Sequence, residues 1–173
     1  MKGTIVKCLQ EMTEARQGKE AWVDALEQAG LTGPQFFTLS SDVEDAQALA
    51  LFGAVGDVLG ISPGEVADAF GDHWVNTYAP RVYQTLYARL GSAREFILAL
   101  DGVHQMVTNT IPNAHPPRFE YEERDERTLI VTYKSRRGLI DLYIGLARGV
   151  GRYFGTPLQV SKLSNTQVKI VFP

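Results

Sequence analysis

Residues 92–133, SAREFILALDGVHQMVTNTIPNAHPPRFEYEERDERTLIVTY, contain a change of hydrophobic period that decides the fold class. From Ser92 to Thr110 the apolar residues recur every three or four positions, which predicts an amphipathic helix. From Thr128 to Tyr133 the period changes to two, because Leu129, Val131 and Tyr133 alternate with Thr128, Ile130 and Thr132, and this predicts a strand. The proline-rich run 111–117 separates the two patterns. A helical part is therefore expected to precede a β-rich part.

The helical pattern extends back to the amino terminus. Two short helices are predicted from the spacing of Ile5, Leu9 and Met12 and from that of Trp22, Leu26 and Ala29 before Gly30. Further helices are expected at about 43–59 and 63–77, the second opened by the capping sequence that begins at Ser62. Pro80 is expected to end or kink that helix, and a short helix over 81–90 follows.

The carboxy-terminal part alternates between helix and strand. Residues 138–153 have apolar side chains at helical spacing, and several glycines there permit close backbone approach. Residues 158–172, LQVSKLSNTQVKIVF, predict a hairpin with a Ser-Asn turn. The expected fold is α+β, a single domain over 1–173 with a helical amino-terminal part, about six to seven helices in total, and a four-stranded antiparallel sheet in the carboxy-terminal part.

Composition excludes several classes of function. Seventeen basic and twenty acidic residues give a net charge of -3, which disfavours nucleic-acid binding. The single Cys8 excludes an internal disulfide and any site built from several thiolates. No run of about 18 apolar residues and no secretory signal is visible, so we expect a cytoplasmic protein that does not enter a membrane.

His104 is the first candidate for chemistry. It lies on the apolar stripe of the 92–110 helix, four residues after Leu100 and seven after Ile97, so its ring is expected to point into the core. A buried imidazole can serve as an axial metal ligand through one nitrogen. The alternative is a core histidine whose nitrogens are satisfied by neighbouring polar groups.

The run YKSRR supplies a second candidate. Tyr133, Ser135 and Arg137 occupy alternate positions and would face one side if the segment stays extended. A phenol, a hydroxyl and a guanidinium together suit an anionic oxygen ligand such as a haem carboxylate. The alternative is a strand end with an exposed tyrosine, a turn serine and a solvated Arg136-Arg137 pair.

Four stretches of the chain resemble the haem nitric-oxide/oxygen-binding (H-NOX) family, in its stand-alone bacterial form. They are MKGTI at the start, DGVHQMV around His104, residues 113–119 (NAHPPRF) and the Tyr-x-Ser-x-Arg run. The resemblance covers essentially the whole chain and implies a haem b (iron protoporphyrin IX) cofactor. It implies His104 as proximal iron ligand, Tyr133, Ser135 and Arg137 on the propionates, Pro117 pressing on the porphyrin, and Asp45 supporting the arginine.

The resemblance also implies a distal pocket. Its lining would consist of Ile5, Leu9, Trp74 and Leu142. Oxygen-binding members of the family place a tyrosine where this chain has Leu142, and an apolar pocket favours NO and CO over O₂. A register one residue longer would instead place Tyr143 there, and the Trp74 indole is either a donor or a simple packing residue.

The expected function is that of a haem-based gas sensor rather than an enzyme. By resemblance, NO binding would weaken the iron–His104 bond, let the helical part move, and signal to a separate histidine kinase or diguanylate cyclase. A haem-free interaction or small-molecule module on the same fold is the main alternative, and a haem enzyme acting on peroxide or NO is a third. His73 and His115 are expected to be surface residues.

Overall fold

The computed structural model describes residues 1–33 and 35–173. Its helices are α1 (Gly3–Gln28), α2 (Asp45–Leu59), α3 (Pro63–His73), α4 (Ala79–Val82), α5 (Gln84–Tyr87), α6 (Ala93–Thr110) and α7 (Ile140–Tyr153), with a π-helical turn, Trp74–Tyr78, between α3 and α4. Its strands are β1 (Arg118–Glu123), β2 (Thr128–Lys134), β3 (Gln159–Lys162) and β4 (Gln167–Val171). The expected α+β class, with helices first, is confirmed.

The first helix contains the break that the sequence predicts between two amino-terminal helices. Gly18 has φ +86° and ψ 177°, a conformation that only glycine adopts without strain. The helical stretches before and after Gly18 bury separate sets of side chains, among them Leu9 and Met12 in the first and Trp22 and Ala25 in the second.

The segment from Ser62 to Tyr87 agrees with the prediction from the sequence at its start and differs from it later. Ser62 accepts a hydrogen bond from the Glu65 amide at 3.4 Å while the Ser62 amide donates to the Glu65 carboxylate at 2.8 Å, a capping box that opens α3. The helix predicted over 63–77 is α-helical only to His73. Pro80 has no N–H, and the chain passes through the π-helical turn and then two single turns, α4 and α5, in place of one helix over 81–90.

The four strands form one antiparallel sheet in the order β1-β2-β4-β3. β3 and β4 are the predicted hairpin, and β4 pairs with β2 so that the hairpin extends the sheet. In the β1–β2 ladder Phe119 lies opposite Tyr133. This register places the end of the proline-rich run beside the beginning of the Tyr-x-Ser-x-Arg run.

Two hydrophobic cores adjoin each other. The helical core is built from α1, α2, α3 and the π-helical turn, and its largest buried side chains are Leu9, Met12, Leu51, Phe70 and Tyr78. The sheet core lies between the sheet, α6 and α7, and includes Ile97, Phe119, Leu129, Tyr133, Ile140, Tyr143 and Ile170. Trp74 and Leu146 pack against both cores, and so mark their junction.

The crossing of α3 and α7 fixes these cores relative to each other. A Cβ on Gly145 would lie 2.1 Å from the Ala67 carbonyl oxygen, and one on Gly71 would lie 2.1 Å from the Gly145 carbonyl carbon. The two backbones are therefore in direct contact, as the glycines in the sequence suggested. Arg148 adds an ion pair to Asp68 at 2.8 Å across the same crossing.

No described helix is, by itself, long and apolar enough to cross a membrane, and only the bent combination of Asp45–Leu59 with Pro63–Val82 meets that length and composition criterion.

Candidate functional site

His104 lies on α6 with one ring nitrogen already engaged. Ser92 caps the helix by accepting from the Glu95 amide at 3.2 Å, which fixes the start of the amphipathic stripe. The His104 Nδ1 atom lies 2.7 Å from the Pro117 carbonyl oxygen. Because a carbonyl only accepts, Nδ1 carries the proton and Nε2 keeps a lone pair for a ligand. Burial lowers the pKa of His104 below its usual value, which favours this neutral form.

The residues around His104 include a charged pair that the sequence did not reveal. Arg118 donates to both carboxylate oxygens of Asp101, from Nε at 2.7 Å and from Nη2 at 2.6 Å. The Phe119 amide donates to the same carboxylate at 2.8 Å. Hydrogen bonding from Arg118 lowers the pKa of Asp101 to about 2. The sequence does place Asp101 one helical turn before His104, which could have drawn attention to this carboxylate. It could not show that Arg118 is the partner of Asp101.

The Tyr-x-Ser-x-Arg run is not extended throughout, contrary to the premise of the sequence argument. β2 ends at Lys134, and residues 136–137 form a turn. The turn holds Ser135 close to the backbone of Arg137, whose amide donates to Ser135 Oγ at 3.2 Å, and both Ser135 and Arg137 lie near enough to Tyr133 to act on its phenol. Tyr133 is buried rather than exposed, and burial raises the pKa of its phenol while hydrogen bonding to Ser135 opposes the rise.

Arg137 joins the helical part of the chain to the proline-rich run. Its Nε donates to Asp45 at 2.8 Å, and its Nη1 donates to the His115 carbonyl oxygen at 2.6 Å. The Met1 ammonium also bonds to Asp45, at 2.7 Å. The Met1 ammonium and then Arg137 hold the pKa of Asp45 below its usual value. The expected support of the arginine by Asp45 is thus present, and three of its five N–H donors remain for a ligand.

The four residues expected on the distal side all pack with the helical core. Leu9 is buried within it, and Ile5, Trp74 and Leu142 are partly buried against it. Trp74 begins the π-helical turn and stacks on Phe70 with a centroid separation of 5.8 Å. The structure therefore brings this predicted group together, with Trp74 at the junction with the sheet core.

Tyr143 points the other way from Leu142. It is buried in the sheet core, with its ring 4.9 Å from Phe119 and 6.1 Å from Tyr133. Among the described residues its hydroxyl has no hydrogen-bond partner, and burial raises the pKa of the phenol well above its usual value. Leu142 and Tyr143 were the two residues of α7 considered for the distal position, and only Leu142 faces the helical core.

The two remaining histidines differ from each other. His115 is exposed, as expected. His73 is half-buried, and its Nε2 is buried without a hydrogen-bond partner among the residues described, so the surface expectation is wrong for His73. Burial lowers the pKa of His73 below its usual value. No group of three or more metal-ligating side chains occurs in the described part of the chain.

Comparison with known proteins identifies the family. The model of the Haem-NO-binding family matches residues 2–162. The chain belongs to the H-NOX family. These are haem-based gas-sensing domains related to soluble guanylate cyclase, and as sensor domains they are generally non-catalytic. The resemblance stated from the sequence motifs is confirmed.

A curated relative and several solved structures resemble this H-NOX chain. Soluble guanylate cyclase gcy-34 of Caenorhabditis elegans is 22% identical over 157 residues, which are 88% of this chain and 23% of the cyclase. The chain thus spans less than a quarter of that relative.

Among solved structures, an H-NOX protein from S. oneidensis in the Fe(II) ligation state has a TM-score of 0.89 at 19% identity, covering 100% of this chain and 96% of that one. The I5F mutant of T. tengcongensis H-NOX has a TM-score of 0.84 at 22% identity, covering 99% and 97%. These likenesses establish the H-NOX fold.

The side chains present fit a haem. A neutral imidazole with a free Nε2 suits ferrous iron, and the Nδ1 hydrogen bond to a carbonyl is the outer contact that metal-bound histidines commonly make. Arg137, Ser135 and Tyr133 provide donors for carboxylates at the end of β2. Apolar side chains from the helical core provide the remaining lining.

Proposed function

We propose that this H-NOX chain holds haem b through Nε2 of His104 and senses NO and CO in preference to O₂. The observation that carries the proposal is the 2.7 Å contact between His104 Nδ1 and the Pro117 carbonyl oxygen. It fixes the tautomer with a free Nε2, and burial lowers the pKa of the imidazole, which favours the neutral ring. The core-histidine alternative requires both ring nitrogens to be satisfied by neighbouring polar groups, whereas among the described residues only Nδ1 of His104 makes a hydrogen bond.

The contacts of Arg137 indicate where the haem propionates would bind. Asp45 and the His115 carbonyl hold the guanidinium in place, so its remaining N–H donors are aimed before any ligand arrives. Ser135 and Tyr133 add two hydroxyls beside it. We assign these three residues to the haem propionates, and Pro117, next to the His104 contact, to the proximal face of the porphyrin.

Gas selectivity rests on the side chains of the helical core. When bound, the haem supplies a ferrous iron with an open position for a diatomic gas. Ile5, Leu9 and Leu142 offer no hydrogen-bond donor to that position. Bound O₂ carries negative charge and gains much from a donor, whereas NO and CO gain little. We assign Trp74 to the edge of the same pocket.

Transmission of the signal is proposed to pass to a separate effector, such as a histidine kinase or a diguanylate cyclase. The structural support is that the candidate haem contacts come from both parts of the fold. His104 and Tyr133 belong to elements of the sheet core, whereas Ile5 and Leu9 belong to α1. A change in the His104 contact would therefore alter how the two cores meet.

The testing experiment is an absorption spectrum of haem-reconstituted protein, reduced under anaerobic conditions, before and after NO and, in a separate sample, after air. We expect a five-coordinate ferrous spectrum that shifts with NO and forms no stable complex in air. Failure to retain haem would contradict the proposal and favour a haem-free binding module. A stable complex in air would contradict the assigned selectivity.

A further inference from the structure

α6 and β1 are tied together along one face of the helix. Near the start of this contact the Tyr121 hydroxyl donates to the Ile97 carbonyl at 2.7 Å. One turn later Asp101 receives the Phe119 amide. His104 is the next residue on this face, because positions 97, 101 and 104 fall on one side of a helix.

Arg118 forms hydrogen bonds to α6 residues on both sides of His104 in the sequence. It holds both oxygens of Asp101, three residues before His104, and its Nη1 donates to the Gln105 side chain, the residue after His104. A bidentate arginine–carboxylate pair fixes direction as well as distance. Since Arg118 directly follows Pro117, this grip also fixes the carbonyl that accepts from His104.

We propose that Asp101 and Arg118 are positioning residues for the His104 imidazole, a role that rests on the proposed ligation of haem by His104. The pair holds the Pro117 carbonyl opposite Nδ1. It thereby selects the tautomer with a free Nε2 and sets the direction in which Nε2 points. Contacts of this outer kind commonly alter metal affinity by about 10- to 100-fold when they are removed.

The same two elements provide a matched control. Arg94 on α6 and Glu123 on β1 form an ion pair at 3.2 Å, and the Glu123 side chain is 60% exposed. This pair lies at the opposite end of the α6–β1 contact from His104. A Glu123→Gln variant therefore removes a link between the two elements without touching the surroundings of the histidine.

The first test uses the haem-free protein. Nitrogen NMR of the His104 ring should show a single tautomer with the proton on Nδ1 in the wild type and in Glu123→Gln. Arg118→Gln should give averaged tautomers, and Arg118→Lys should restore little, because an ammonium cannot grip both carboxylate oxygens. An unchanged tautomer in both Arg118 variants would overturn the proposal, whether or not the protein binds haem.

The second test measures haem dissociation. Arg118→Gln should raise the dissociation rate about tenfold, and Glu123→Gln should leave it unchanged. In a His104→Gly background supplied with imidazole, Arg118→Gln should have no further effect, because the residue it positions is gone. An equal effect in both backgrounds would show a merely structural role and overturn the proposal. Loss of haem from the wild type would instead refute the proposed function, and the NMR test would still decide the role of the pair.

Discussion

Leu142 and Tyr143 are neighbours on α7 whose side chains enter different cores. Leu142 packs with the helical core, and Tyr143 lies against Phe119 in the sheet core. One helical position is a rotation of about 100°, so a shift of a single residue would exchange the two. The proposed preference for NO depends on this register.

Leu142→Tyr adds the donor that the distal side lacks. We expect the oxygen complex to last at least about tenfold longer, because a hydrogen bond to a charged group contributes about 1.5–3 kcal/mol. The decay of the complex after mixing reduced protein with air measures this. Leu142→Phe is the control for ring size and should give no gain. Equal lifetimes in the Tyr and Phe variants would show that position 142 does not face the gas.

Cys8 is expected to be inert in the folded protein. Its side chain is fully buried, and burial raises the pKa of the thiol well above its usual value. A thiol reagent such as dithionitrobenzoate should therefore label it only as fast as the protein opens. Labelling rates followed across urea concentrations would check this, and rapid labelling in native buffer would contradict the burial of α1.

Sequence reasoning at this scale succeeded where periodicity determines direction. The stripe on α6 correctly predicted that His104 points inward, where its ring lies beside Phe119, and the alternation over 128–133 correctly predicted the strand β2. It could not give the Asp101–Arg118 pair, whose members are 17 residues apart and meet only because β1 returns along α6. The sequence left open whether the chain turns after Lys134, since Ser and Arg are compatible with both turn and strand.

Among the contacts between elements, the crossing of α3 and α7 leaves the least room for larger side chains. Backbone atoms of Ala67 and Gly71 occupy the space in which side chains at Gly145 and Gly149 would lie. Carbonyl groups of a helix cannot move aside without breaking its hydrogen bonds. The two helices must therefore separate if either glycine gains a side chain.

We predict that Gly145→Ala lowers the free energy of unfolding by about 3 kcal/mol or more, because the added Cβ overlaps the Ala67 carbonyl. Gly53→Ala in α2 is the control, since a Cβ there meets nothing within 4 Å. The control should gain about 0.5–1 kcal/mol from reduced chain entropy. Urea denaturation of the three proteins measures both. A neutral Gly145→Ala variant would contradict the close crossing.

Helices and strands with a clear hydrophobic period and a cap or turn sequence could be predicted, whereas the irregular segment between α3 and α4 could not. α6 has a serine cap and an apolar stripe, and the β3–β4 hairpin has alternation on both sides of a turn. The residue types at 74–78 do not predict a π-helical turn. Pro80 indicated a disturbance, but the sequence could not say that it would be absorbed before the proline, at 74–78.

At the scale of the whole molecule, the carboxylate of Asp45 links the two parts of the fold. It begins α2 in the helical part, and it bonds to Arg137, which follows β2. The proposed sensing mechanism requires that these parts be held together by contacts that can change. Asp45 and Arg137 form one such contact, whereas the backbone contact between α3 and α7 at the glycines leaves no room for movement.

Asp45 should contribute to the pH dependence of stability. Its folded-state pKa is depressed, so its contribution is complete above the unfolded value of about 3.9 and is lost as pH falls through the lower folded value. Asp45→Asn should lower stability at pH 7 by about 1 kcal/mol or less, given its exposure, and the deficit should shrink as the pH falls below about 3.9. Denaturant titrations between pH 7 and 3 measure this, with the exposed Glu44→Gln as control. A deficit that persists unchanged at pH 3 would contradict the ion pair.

The most direct test of the central claim is the ferrous absorption spectrum of His104→Gly with and without added imidazole. Our account predicts that the variant loses its protein ligand to iron while keeping the fold, and that imidazole restores the wild-type five-coordinate spectrum by filling the space left by the side chain. A His104→Gly protein whose haem spectrum equals that of the wild type without imidazole would show that His104 does not bind the iron.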